Sequence, residues 1–358
     1  MKKNLIGLSL FVGLVLPLCA AAQLVYHDAA EFPLYGKAVE QTYHRYTRLP
    51  ESLKGVTRDP VWNLGLNSAG LAIRFRSNST TIAVRWKNSF GNSMNHMTPT
   101  GIRGLDLYAR VGQGWRFVNS ARPDGSDNEA TIISTMLPEE REFILYLPLY
   151  DGVDSLSIGV DATAEISVPR LAEPVREKPI VFYGTSILQG GCATRPGMAH
   201  TNILSRRLNR EAINLGFSGN GQLDLEIAEL MAEVDAGVFV LDFVPNVTVE
   251  QMETKMIPFY RILRERHPDT PIVFVEDPNY PHMLFSTSAA KSVAKLNETH
   301  ERIFRQLKKE GERNIYYVSS DHMLGDDGEA TVDGIHFTDV GMMRYADLLY
   351  PVLRKVLK

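Results

Sequence analysis

A change of apolar period near residue 170 limits what this 358-residue chain can fold into more than any other feature. From about residue 24 to 170, apolar and polar side chains alternate, as in Leu71-Ala72-Ile73-Arg74-Phe75-Arg76, Thr81–Trp86 and Leu105–Arg110, with Phe143–Leu147 close to the same pattern. Period two belongs to strands that bury one face. Turn-rich pieces such as Asn88–Asn92, Gly112-Gln113-Gly114 and Asp124-Gly125-Ser126 separate the runs. Short alternating strands broken by turn residues predict an antiparallel, jelly-roll-like β-sandwich with no helix longer than two turns. Trp62, Trp86 and Trp115 read as strand core rather than as a platform for sugar rings.

The stretch Val168–Lys178, with Pro169 and Pro174 and then Pro179 beyond it, reads as a linker, and after it the pattern changes. Ile180–Tyr183 and Ile272–Val275 are continuous apolar runs, Ile315–Val318 is a shorter one, and Val238–Val244 is interrupted only by Asp242. Helical stretches are predicted between them at about Met198–Asn209, Leu225–Glu233, Thr248–His267 and Ser288–Glu310. Apolar strands alternating with amphipathic helices predict a three-layer α/β/α domain whose parallel sheet is covered on both faces. The expected organisation is a leader over 1–22, a β-sandwich domain over 23–173 and an α/β domain over 174–358.

The leader is read from Lys2-Lys3, the apolar run Leu5–Leu18 and Ala20-Ala21-Ala22, the three regions of a cleaved secretory signal. The run is too short for a membrane span, and Leu18 before Cys19 does not suit a lipoprotein anchor. The expected location is therefore secreted or periplasmic. Cleavage would leave Cys192 as the sole thiol, so no internal disulfide is expected and core burial must stabilise the fold. It would also move the formal balance from 38 − 42 = −4 to 36 − 42 = −6. That acidity argues against nucleic acid, which needs clustered Lys and Arg.

In an open α/β sheet, ligands sit beyond the carboxyl ends of the strands, so four loops belong together. Gly184-Thr185-Ser186 brings a hydroxyl to a strand end beside a helix start, where free N–H groups favour an oxyanion. Asn214–Gly221 holds Gly216, Gly219 and Gly221, which let backbone approach a ligand. Val244-Pro245-Asn246 offers a side-chain amide. Asp333-Gly334-Ile335-His336 lets a carboxylate orient an imidazole, leaving Nε2 to take a proton from serine. Jointly they supply a nucleophile, oxyanion donors, a base and an orienting acid for acyl transfer.

These blocks resemble the serine, glycine, asparagine and histidine blocks of the SGNH (GDSL-like) hydrolases, over roughly 178–358. Met94-Asn95-His96-Met97 and Gly104-Leu105-Asp106-Leu107-Tyr108 resemble the β-rich companion domain of a secreted bacterial subgroup. The resemblance places the nucleophile at Ser186, the oxyanion hole at Ser186, Gly219 and Asn246, and the base at His336 with Asp333 behind it. Two departures stand out. The usual Gly-Asp-Ser is Gly184-Thr185-Ser186, and the usual Gly-x-Asn-Asp is Val244-Pro245-Asn246-Val247, in which Pro245 holds φ but donates nothing.

Arg195, on the loop after Ser186, and Glu276, at the end of a strand beside Asp277, are the candidate substrate-binding residues. The Glu276-Asp277 pair alone would suit a glycosidase, but the serine constellation already accounts for the site. His96, His200 and His322 lack ligand spacing, so neither metal nor cofactor is expected. The implied function is hydrolysis of acyl esters, acetyl above all, on a polysaccharide or oligosaccharide. A lipid or thioester acyl hydrolase, or a non-catalytic glycan-binding protein on a hydrolase scaffold, are the alternatives.

Overall fold

A computed structural model describes residues 23–170 and 178–357. The expected leader over 1–22, and the part of the expected linker at 171–177, lie outside the described residues. Upstream of the linker the strands are β1 (Leu24–Asp28), β2 (Leu34–Tyr35), β3 (Ala72–Ser77), β4 (Ile82–Asn88), β5 (Leu105–Val111), β6 (Gly114–Ala121), β7 (Asp127–Ile133), β8 (Arg141–Tyr146), β9 (Val153–Asp161) and β10 (Ile166–Ser167). They form two antiparallel sheets, ordered β1-β9-β4-β7 and β10-β3-β8-β5-β6, with β2 paired to β3. Phe75 and Phe143, partners in the β3–β8 register, stack at 5.1 Å in a core to which Trp86, Leu107 and Ile158 also contribute. The helices of this half are α1 (Asp59–Gly65) and α2 (Pro99–Arg103), both short as expected.

The outer face of the β3-β8-β5 sheet is not solvent-exposed. Ala72, Tyr108, Trp115, Ile144 and Tyr146 form a separate buried cluster there, and both faces of β3 are buried. An alternating strand ordinarily turns its polar residues to water; here Arg74 is 5% and Asp106 0% exposed, because the second half of the chain covers them. Of the three tryptophans, only Trp86 lies in the sandwich core. Trp62 rides on α1 into the core of the second half, and Trp115 lies beneath the guanidinium groups of Arg74 and Arg110 on the outer face.

The second half is built on a parallel sheet of β11 (Ile180–Gly184), β12 (Ala212–Gly216), β13 (Val238–Asp242), β14 (Ile272–Val275) and β15 (Ile315–Val318), ordered β12-β11-β13-β14-β15. Its helices are α3 (Ser186–Gln189), α4 (His200–Leu208), α5 (Leu225–Ala232), α6 (Val249–Arg266), α7 (Thr287–Lys309) and α8 (Asp339–Val356). One face of the sheet, through Val181, Leu215 and Phe239, packs on α5, α6 and α7; the other, through Phe182, Val240 and Val273, packs on α4 and α8. Apolar residues on both strand faces thus produce the three layers expected of a buried parallel sheet.

Two arginines tie the halves together. Arg48, 1% exposed, donates to the carbonyls of Asn214 (3.0 Å) and Gly216 (2.8 Å), alternate residues of β12. Since β12 ends the sheet order, these carbonyls would otherwise lack partners. Burial lowers the Arg48 pKa to about 9, which still leaves a cation at neutral pH. Arg58 grips Asp224 at 2.7 and 2.8 Å and also donates to the side chain and carbonyl of Asn220, each at 2.9 Å. It thereby braces the glycine-rich loop after β12.

Candidate active site

The strand order reverses between β11 and β13, and a crevice opens there beyond the carboxyl ends of the strands. Gly184 closes β11 where a Cβ would lie 2.2 Å from the carbonyl oxygen of Asp242, so only glycine lets the two strand ends approach. Thr185 caps α3 by accepting from the Ile187 N–H at 3.3 Å. Ser186 opens the helix, 7% exposed. Its carbonyl accepts from the Gly191 N–H (2.7 Å) and from the Tyr150 hydroxyl (3.0 Å), the latter supplied by the first half of the chain.

Asp333 and His336 come from the segment before α8. Asp333 Oδ1 accepts from the backbone N–H groups of Ile335 (3.0 Å) and His336 (2.8 Å), a short-range turn that the three-residue spacing permits. Its Oδ2 lies 2.7 Å from His336 Nδ1, and His336 Nε2 lies 2.9 Å from Ser186 Oγ. Partial burial raises the Asp333 pKa, but the hydrogen bonds from the His336 ring and from the two N–H groups outweigh it and bring it to about 2. An ionised carboxylate on Nδ1 sets the tautomer that leaves Nε2 to accept a proton from the hydroxyl.

The other two loops close the cleft. Gly219 sits at φ +67°, with open space where a side chain would project. Gly221 packs against β11, where a Cβ would meet the Gly184 oxygen at 2.4 Å, and its N–H donates to Asn246 Oδ1 at 3.1 Å. That bond orients the amide, because Oδ1 is taken and the NH2 group is turned away from Gly221. Asn246 ends a 3-10 turn, Val244–Asn246, which Pro245 favours through its fixed φ. The cleft, about 490 Å³, is lined by Ser186, Gly219, Asn246, Asp277, Tyr280 and His336 among others.

Comparison with known proteins finds relatives for both halves of the chain. The profile of the GDSL-like lipase/acylhydrolase family matches residues 177–354, and that of the N-terminus of SGNH-hydrolase-type esterases matches residues 24–166. A Bacteroides ovatus ATCC 8483 structure of the GDSL-like lipase type is 37% identical, with a TM-score of 0.89 over 94% of this chain and 98% of its own. The chain belongs to the GDSL-like lipase/acylhydrolase family. The salicylyl-acyltransferase SsfX3 shares the fold of this GDSL-like chain at 19% identity and a TM-score of 0.73, covering 92% of this chain and 96% of its own. A family two carbohydrate esterase from Cellvibrio japonicus shares it at 13% identity and 0.61, covering 94% and 98%. No curated protein matches the chain.

Five of the residues read from the sequence of this GDSL-like protein, Ser186, Gly219, Asn246, Asp333 and His336, thus lie around one cleft or bond directly to a residue that does. Two others lie elsewhere. Arg195 donates to Asp106 Oδ2 and the Tyr108 hydroxyl, both at 2.7 Å, and lies 3.7 Å over the Phe117 ring, so its charge is spent joining the two halves. Glu276 accepts from the Tyr317 hydroxyl (2.8 Å) and the Ser320 N–H (2.7 Å), facing β15 rather than the cleft. Its neighbour Asp277 lines the cleft instead.

His96, from the loop before α2, brings its ring to 5.3 Å from that of His336, a contact that spacing along the chain does not reveal. His96, Cys192 and His336 each offer a ligand atom, all within 4.8 Å. The two His336 nitrogens already face Asp333 and Ser186, and burial, with the Asp333 charge nearby, pushes the Cys192 thiol up to about 12. These residues do not fit a resident metal, which needs a thiolate and a free imidazole nitrogen.

Proposed function

We propose that this GDSL-like protein is a serine esterase that removes acyl groups, acetyl above all, from carbohydrates through an acyl-enzyme on Ser186. The observation that carries the proposal is the relay from Asp333 Oδ2 to His336 Nδ1 at 2.7 Å and from His336 Nε2 to Ser186 Oγ at 2.9 Å. In this reading His336 takes the Ser186 proton as Oγ attacks the ester carbonyl. The tetrahedral anion accepts hydrogen bonds from the N–H groups of Ser186 and Gly219 and from the Asn246 amide. The imidazolium, stabilised by Asp333, returns the proton to the leaving alcohol. Water, activated by the same imidazole, then cleaves the acyl-enzyme and frees Ser186.

Support for a carbohydrate substrate comes from the fold shared, across both halves, with the Cellvibrio japonicus carbohydrate esterase, and from the cleft's open, partly polar wall. A secreted or periplasmic setting, resting on residues 1–22, suits a polymeric substrate. Among the described residues no helix is long and apolar enough to cross a membrane.

The test is a fluorophosphonate probe followed by acetate release from acetylated xylan, pectin and mannan. Labelling that disappears in Ser186→Ala, with acetate released from at least one polymer, is the expected result. Equal labelling of wild type and Ser186→Ala would overturn the esterase. A marked preference for long-chain over short-chain p-nitrophenyl esters would replace the carbohydrate with a lipid substrate.

A further inference from the structure

The cleft contains a carboxyl group that the proposed reaction leaves unused. Asp277 follows β14, is only 3% exposed and lines the same cleft as Ser186 and His336. Its Oδ1 meets no partner at hydrogen-bonding geometry among the described residues, and the Tyr280 hydroxyl beside it is likewise unpartnered. His336 already has its carboxylate in Asp333, so the proton relay does not need a second acid. A buried carboxyl oxygen without a partner is costly unless something in its working state satisfies it.

Asp277 is also held in place. Its N–H donates to Asn297 Oδ1 at 2.9 Å, and Asn297 Nδ2 donates back to its carbonyl at 3.0 Å, so one α7 side chain grips both backbone groups. Pro278 follows and stiffens the exit from the strand. Tyr280, 6% exposed, lies beside the carboxyl and lines the cleft with it. Fixed backbone, a buried oxygen and an aromatic neighbour describe a preorganised polar contact.

We propose that Asp277, backed by Tyr280, is a hydroxyl-recognition subsite, its carboxyl hydrogen-bonding a substrate hydroxyl close to the reacting ester. The proposal rests on the esterase reading and deepens it by naming the chemistry of the substrate. Burial pushes the Asp277 pKa up to about 7, so both protonation states occur near neutrality. A hydroxyl, which donates and accepts, satisfies either state, whereas an alkyl chain satisfies neither. The hydroxyl has two possible sources, the alcohol half of the ester, as in a partly acetylated sugar, or a hydroxylated acyl group.

The experiment compares wild type, Asp277→Leu and Asp277→Asn on p-nitrophenyl acetate, which has no hydroxyl, on a mono-O-acetylated methyl glycoside, and on p-nitrophenyl glycolate. Asp277→Leu is expected to lower kcat/KM for one hydroxylated ester, relative to p-nitrophenyl acetate, by about 10- to 100-fold, the usual effect of losing one buried hydrogen bond. Asp277→Asn, which still donates and accepts, is expected to recover much of that ratio. The ester that responds identifies the source of the hydroxyl. Ratios within about twofold of wild type for both hydroxylated esters would overturn the subsite.

Failure of the esterase itself shows separately, as hydrolysis of p-nitrophenyl acetate that Ser186→Ala does not abolish. Calorimetric titration of Ser186→Ala with the acetylated methyl glycoside and with ethyl glycolate then tests the subsite without turnover. Binding of either that weakens at least tenfold when Asp277→Leu is added supports it, and equal binding of both, or none, overturns it.

Discussion

Arg195 Nη1 lies 2.7 Å from Asp106 Oδ2 and joins the loop after Ser186 to strand β5 of the sandwich. Asp106 is fully buried and also accepts from the Gly197 N–H at 2.9 Å and the Ser120 hydroxyl at 2.6 Å. Burial raises the Asp106 pKa while these donors and the Arg195 charge pull it down. Removing one partner of a buried ion pair leaves an uncompensated charge, so Arg195→Ala should cost about 3–5 kcal/mol of stability. Urea denaturation measures this. A midpoint unchanged from wild type would return Arg195 to the candidates for substrate contact.

The relay through Asp333 predicts the order of losses in the cleft. Ser186→Ala and His336→Ala should each lower kcat by about 10⁴-fold or more. Asp333→Asn should follow, because the amide no longer holds the required tautomer. With its pKa lowered to about 2, Asp333 is ionised throughout the working range. Single-turnover assays from about pH 4 upward should therefore show no inflection that Asp333→Asn removes.

Asn246 tests whether the altered third block still works. Its Oδ1 is held by the Gly221 N–H, so the side-chain amide is fixed without the flanking glycine and aspartate usual in the family. Asn246→Ala should lower kcat by about 10²–10³-fold with a smaller change in KM, the pattern for a donor that acts chiefly on the transition state. A change below about threefold would remove Asn246 from the oxyanion hole.

Asp242, at the end of β13, gives a pH dependence of stability. Burial pushes its pKa from 3.8 up to about 8, against the opposing pull of the nearby Tyr345 hydroxyl, and the Asp277 charge adds to the rise. Between those two pH values the folded chain binds more protons than the unfolded chain, so stability falls as pH rises. Tm should drop from pH 5.5 to pH 9, and Asp242→Asn should flatten that drop. An equal drop in both proteins would place the titration elsewhere.

Cys192 adopts φ +70° and is 4% exposed, with its thiol pushed up to about 12. A protonated, buried thiol is a poor nucleophile. Native protein should resist iodoacetamide while urea-unfolded protein reacts. Cys192→Gly, which relaxes the left-handed backbone, should raise Tm by a few degrees, reflecting about 1 kcal/mol. A lowered Tm would show that the lost thiol packing outweighs the relieved strain.

Much of the fold is legible in the amino-acid sequence. The apolar run Ile180–Tyr183 became β11 and the stretch Thr248–His267 became α6 with a Thr248–Gln251 capping box, because periodicity and caps are local properties. That Ser186, Gly219, Asn246 and His336 line one cleft was legible for a related reason. A strand end is marked by where its apolar run stops, and a parallel sheet places all such ends on one edge. Asp333 and His336 needed only a spacing of three, since their turn closes on itself.

Arg195, Glu276 and the alternating polar residues of the sandwich were misread for the opposite reason. Chain position put Glu276 and Asp277 at the same strand end, but Tyr317 and Ser320, more than 40 residues away, capture Glu276 and leave Asp277 to the cleft. Asp106 and Arg195, 89 residues apart, meet only because the two halves of the chain pack together. Hydrophobic period and turn chemistry act over a few residues, so they set which segments become strands and helices and which loops share the sheet's open edge. Which polar side chains bond to neighbours and which remain for a ligand follows from packing between distant segments, since hydrogen bonds and ion pairs form between whatever groups come within about 3 Å.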